Sequence, residues 1–192
     1  NWFEGKVARV LSQHVPKESC ILVANSMPIR DLEWFWKGNG KKRRLFGNRG
    51  ANGIDGTLGT ALGLAHKNPK ATYLLTGELA FLHDSNALLA SSIVSGSLTV
   101  ILLNNGGGGI FENLPVAKLP AFEKCFATPQ HCNFKVLCRA HGVAHHEPQD
   151  RQALIDLLQT PPEEGMQVLE IKTDRKKDRL TRLDLLGFGP DL

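Results

Sequence analysis

The chain has 192 residues, 42% of them hydrophobic and 22% charged, with a formal net charge of +4, which suits one soluble domain with a real core. Its longest apolar runs are strand-sized, which excludes a membrane span, and its N-terminal NWFEGKVARV lacks the charged-then-apolar layout of a signal peptide. The four cysteines, Cys20, Cys125, Cys132 and Cys138, form no CxxC pair and match no common zinc spacing with His131 and His141, so a reduced, cytoplasmic protein is expected.

Strands and helices alternate along the chain. Cys20–Asn25 (CILVAN) reads as a buried strand with a polar end, and Leu45–Asn48 as a shorter one. Asp55–His66 has helical spacing, Ala71–Thr76 reads as a strand and Phe81–Val94 as a helix. Leu98–Asn104 (LTVILLN) is near-continuously apolar, the pattern of a strand covered on both faces. Pro129–His141 and Arg151–Gln159 read as helices, Met166–Thr173 as a closing strand and Asp174–Leu186 as a last helix. This alternation predicts an α/β fold: one mostly parallel sheet with helices on both faces.

Two basic clusters, KKRR at 41–44 and RKKDRLTR at 175–182, are too sparse and too poor in aromatic neighbours for a nucleic-acid footprint. They read as a solvated loop and a solvated helix face. Trp34 and Trp36 fit either core or interface, and His83-Asp84 fits packing or capping better than metal binding. His145-His146 is expected near a strand end, with no chemistry assigned.

In a parallel sheet, ligands bind beyond the carboxyl ends of the strands. The unusual residues fall there: Asn25-Ser26 after the first strand, Asn48 to Asp55 after the second, Gly77-Glu78 after the third, and Asn104-Asn105 with Gly106 to Gly109 after the fourth. Glu78 offers a hard carboxylate oxygen, Asn105 an amide oxygen, and the glycines bare backbone. Oxygen ligands of this kind suit Mg²⁺ or Ca²⁺, and glycine amides and helix N-termini favour phosphate. The residues therefore point to a divalent cation that bridges the protein to a di- or triphosphate. GxxxxGK[ST] is absent, and no glycine loop of the dinucleotide type opens a helix after the first strand.

Gly77-Glu78-Leu79 is followed by 24 residues and then Asn104-Asn105. Thiamin diphosphate enzymes carry Gly-Asp-X, roughly 24–27 residues, then Asn or Asn-Asn, so the chain resembles them. More closely, VANSMPIRD, GNRGANGIDGTLGTALGLA, TGELAFLHDSNALL and ILLNNGGGGIF, spread in order over residues 23–111, resemble the 2-succinyl-5-enolpyruvyl-6-hydroxy-3-cyclohexene-1-carboxylate (SEPHCHC) synthase family.

That resemblance implies a transferase of menaquinone or phylloquinone biosynthesis. Its members decarboxylate 2-oxoglutarate and add the product to isochorismate, using thiamin diphosphate with Mg²⁺, or Mn²⁺ in its place. The chain would be the C-terminal, diphosphate-binding module of three. The pyrimidine-binding and middle modules lie outside it, and with them the activating glutamate, so no catalytic residue is expected here and the chain alone should turn over little. Full-length members form homodimers or homotetramers. Carried over to this chain, the metal ligands are Glu78, Asn105 and the Gly107 carbonyl. Gly53, Ile54, Gly77, Leu79 and Ile110 join them in binding the cofactor, and Ser26, Arg30, Arg49, Ile110, Phe111 and Leu114 face substrate. Arginine suits the carboxylates of both substrates.

Glu78 departs from the family's usual aspartate, and its extra methylene moves the carboxylate by roughly 1.5 Å. Asn52 replaces a common serine. Two other readings remain open: another thiamin diphosphate enzyme, such as an acetolactate-synthase-like decarboxylase, and a non-catalytic assembly domain in which Glu78 marks a lost metal site.

Overall fold

A computed structural model describes residues 2–187. Six strands form one sheet: β1 (Cys20–Val23), β2 (Arg44–Phe46), β3 (Thr72–Gly77), β4 (Ser97–Asn104), β5 (Ala144–His146) and β6 (Gly165–Lys172). Their order is β2-β1-β3-β4-β6-β5, and every pairing is parallel. Among the described residues, seven α-helices accompany them: α1 (Glu4–His14), α2 (Met27–Phe35), α3 (Thr57–Ala65), α4 (Glu78–His83), α5 (Phe134–Ala140), α6 (Arg151–Gln159) and α7 (Arg175–Leu186).

Successive strand residues point to opposite faces, and two cores result. Leu22, Leu74, Val100, Leu102 and Val168 pack under α3, α4 and α5. Ile21, Tyr73, Leu75, Ile101 and Leu169 pack under α1, α2 and α6. Helices therefore cover both faces, as the apolar strands require. Among the described residues, no helix is long and apolar enough to cross a membrane.

Several boundaries differ from the sequence reading. The helix expected over Phe81–Val94 is two pieces: α4, which starts at Glu78, and a 3-10 turn at Ser85–Ala90. Asp84 breaks it, because its carboxylate accepts the Gly59 N–H of α3 at 2.7 Å. The helix expected from Pro129 begins only at Phe134, where Asn133 accepts the Val136 N–H as N-cap. α1, α2 and β5 were not anticipated. α1 buries Val7, Val10 and Leu11, a helical stripe too short to stand out by composition.

The basic clusters are only partly solvated. Arg43 donates to the carbonyls of Ser12 and Val15, and Lys41 to that of Gln13, where cations favour the carboxyl end of α1. In α7, Lys176 and Lys177 are exposed, but Asp178 and Arg182 are buried. Trp34 is exposed, while Trp36 packs against the core beneath Arg43.

Candidate functional site

The strand order reverses around β1: β2 lies on one side of it, β3 and β4 on the other. Ligands collect beyond the strand ends at such a switch point. A cavity of about 410 Å³ opens there. Its walls come from the loops after β1, β2, β3 and β4, and from Glu4 at the start of α1.

Register explains the meeting of these loops. Gly77 lies level with Leu103 and Val23 with Leu75, so three strands release their polar ends side by side. Glu78 follows at once as the first residue of α4, 2% exposed. Its Oε1 accepts the Gly107 N–H at 2.5 Å, and Asn105 Oδ1 accepts the same N–H at 3.1 Å. The two oxygens expected to bind a cation thus converge on the N–H of Gly107, the residue whose carbonyl is the third expected ligand. Gly107 cannot be another residue without strain: its φ is +140°, and a Cβ would lie 2.5 Å from the Ala127 carbonyl oxygen. Gly109 lets the chain turn close over Asn105, whose Nδ2 would sit 2.9 Å from a Cβ there.

Burial pushes the Glu78 carboxyl up to about 7; hydrogen bonds from backbone N–H groups oppose the shift, and nearby Glu4 adds to it. Such a carboxyl is poised to trade its proton for a cation. The donor set, a carboxylate, an amide oxygen and a bare backbone carbonyl, is all hard oxygen and fits Mg²⁺.

Ser26, Gly53, Ile54, Gly77, Leu79, Ile110 and Phe111 also line the cavity. Ser26 adopts φ +73°, uncommon for a residue with a Cβ, so backbone strain sits at this wall. Arg30, Arg49 and Leu114 stand outside the lining. Arg30 donates to the Ser26 carbonyl at 2.8 Å and Arg49 to Asn25 Oδ1 at 2.6 Å, so both guanidinium groups are tied to the rim. Leu114 is exposed, beyond the 3-10 turn Gly109–Asn113.

Three contributors had no site role in the sequence reading. Asn25 donates to the carbonyls of Asn48 and Gly53, pinning the second loop to the end of β1. Its position as the polar end of a buried strand was the available signal. Glu4 accepts from Asn105 Nδ2 at 2.7 Å and pairs with Arg182. Arg175 is nearly buried and clamps the glycine loop, donating to the Gly106 carbonyl at 2.6 Å and to Glu112 at 2.7 Å, with a further ion pair to Glu123.

His145, Glu147 and Glu170 also gather, with ligand atoms within 4.8 Å of one another. Their side chains are already engaged: Glu170 with Asn104 and His145, Glu147 with Lys172. The cysteines take no part in this group.

The fold is that of thiamin diphosphate-dependent enzymes. The chain superimposes on the Rhodococcus jostii RHA1 thiamine diphosphate-dependent 4-hydroxybenzoylformate decarboxylase with a TM-score of 0.69 at 13% identity, over 90% of this chain and 32% of that one. No family model matches the chain. It is 50% identical over 182 residues to the 2-succinyl-5-enolpyruvyl-6-hydroxy-3-cyclohexene-1-carboxylate synthase of Synechococcus sp. (strain JA-3-3Ab), covering 94% of this chain and 30% of that protein. The synthase of Gloeothece citriformis (strain PCC 7424) is 53% identical over 176 residues, covering 91% and 30%. The chain is a homologue of SEPHCHC synthase, and it spans about a third of the length of the curated relatives it matches.

Proposed function

We propose that the chain is the C-terminal, diphosphate- and metal-binding domain of a SEPHCHC synthase, which joins the decarboxylation product of 2-oxoglutarate to isochorismate. The observation that carries this reading is the convergence of Glu78, Asn105 and Gly107 at the strand-end cavity. Glu78 and Asn105, with the Gly107 carbonyl, would hold Mg²⁺. Thiamin diphosphate, when bound, supplies the thiazolium carbon at which a 2-oxo acid loses carbon dioxide.

The chain's own residues bind and orient. Gly53 presents backbone to the cofactor, and Ile54, Leu79 and Ile110 give the cavity apolar walls. Ser26, Arg30 and Arg49 stand at the rim toward substrate, where guanidinium groups suit carboxylates. Phe111 lines the cavity beside Ile110 and helps exclude water. The activating acid belongs to the modules outside this chain, so the chain by itself has little turnover, and a synthase assay on it checks this.

Calorimetric titration with thiamin diphosphate, with and without Mg²⁺, tests the binding role. Binding that needs Mg²⁺ is the expected result, and Glu78→Gln should weaken that Mg²⁺-dependent binding. Binding by Glu78→Asp alone would identify the longer acid as the mark of a spoiled metal site and favour an assembly role.

A further inference from the structure

The side-chain amide of Asn105 bonds Glu4 directly and shares a backbone donor with Glu78. Glu4 accepts from Nδ2 at 2.7 Å on one side. On the other side Oδ1 faces the Gly107 N–H, the group that Glu78 also accepts. Turned over, the amide would set its N–H groups against the Gly107 N–H, and its oxygen would meet the Glu4 carboxylate. Only the observed orientation leaves the Asn105 oxygen, rather than its nitrogen, on the Gly107 N–H that Glu78 also accepts.

What holds the amide in that orientation is unequal on the two sides. The Gly107 N–H is shared, and Asn105 takes the longer branch. The bond to Glu4 is short and charge-assisted, hence the stronger of the two. Glu4 is itself fixed. It is 2% exposed, its N–H donates to Asp178 Oδ2 at 3.2 Å, and its carboxylate pairs with Arg182. Arg182 is held in turn by two bonds to Asp31, at 2.6 and 2.7 Å.

We infer that Glu4 is a positioning residue: it draws the Asn105 amide nitrogen to itself and so keeps the Asn105 oxygen turned to the metal position. The metal part rests on the proposed function above; the orientation of the amide stands on the hydrogen bonds alone. Glu4 reaches no ligand of its own in this scheme. It acts through Asn105, and outer partners of this kind commonly change metal affinity about 10- to 100-fold.

The test has two readouts on the 192-residue chain. The first needs no cofactor: the side-chain amide signals of Asn105, assigned in nitrogen–proton NMR spectra through their loss in Asn105→Asp. They should shift on Glu4→Leu, and less on Glu4→Gln, which keeps an acceptor oxygen. Signals indifferent to both substitutions overturn the inference. The second is calorimetry with Mg²⁺ and thiamin diphosphate. Glu4→Leu should weaken Mg²⁺-dependent binding about tenfold or more, and Glu4→Gln less. Adding Asn105→Asp to Glu4→Leu should restore most of the affinity, because a carboxylate has no wrong end to present. Native affinity in Glu4→Leu, or no rescue in the double variant, overturns the positioning role while leaving the site itself in place. A native chain that binds neither Mg²⁺ nor thiamin diphosphate overturns the proposed function instead, and the NMR readout then decides the role of Glu4. Glu4→Gln keeps the test open should Glu4→Leu not fold.

Discussion

Burial disfavours the charged form of Glu78 and pushes its carboxyl up to about 7. A cation that needs the carboxylate must displace the carboxyl proton. Mg²⁺-dependent binding of thiamin diphosphate should therefore strengthen from about pH 6 to about pH 8 and level off above, which calorimetry across that range would register. Stability of the metal-free chain runs the other way. Burial, with Glu4 adding to it, raises the Asp178 carboxyl to about 7, so the folded chain binds this proton more tightly than the unfolded one. The resulting stability is full below the unfolded carboxylate value of about 4 and is lost as pH rises through about 7. The thermal midpoint should fall between those limits, and Asp178→Asn, which keeps an oxygen for the Glu4 N–H, should flatten the fall. Gly107→Ala is expected to cost about 2 kcal/mol and to abolish cofactor binding, since its backbone conformation and the Ala127 carbonyl both reject a Cβ. The polar, glycine-rich strand ends let the sequence bring Glu78, Asn105 and Gly107 to one sheet edge, where the structure also has them. Glu4 was not legible, because one acid in a short amphipathic helix looks like any solvated residue until the fold buries it.

The strands could be read because burial on both faces leaves a near-continuous apolar run, as in β4, where seven of eight residues are buried. Helix ends were harder, because side chains far along the chain set them. Asp84 ends α4 by turning to the Gly59 N–H in the first turn of α3, a contact across 25 residues that no local pattern announces. Asp84→Ala should leave that donor unmet and cost about 1 kcal/mol, measurable by denaturant unfolding. β5 was invisible for a related reason: three residues with no buried member form a strand only because β6 offers its edge.

At the scale of the whole molecule, α7 brackets the site. Arg175 at its start grips the glycine loop, and Arg182, two turns on, holds Glu4 and Asp31. The reading of this helix as a solvated basic face holds for Lys176 and Lys177 and misses the buried side, because the partners of Arg182 lie up to 178 residues away, where spacing carries no signal. Arg182→Met should destabilise the fold by about 3–5 kcal/mol, since it leaves two buried carboxylates without their cation, and chemical denaturation would measure it. The same arrangement ties the two ends of the described fold together. Glu4 opens α1 and Arg182 lies in α7, 178 residues apart, and Glu4 also forms one wall of the strand-end cavity. A chain shortened before α7 would keep the residues of all six strands and lose the cation that steadies that wall. Limited proteolysis of such a chain should therefore cut first in α1.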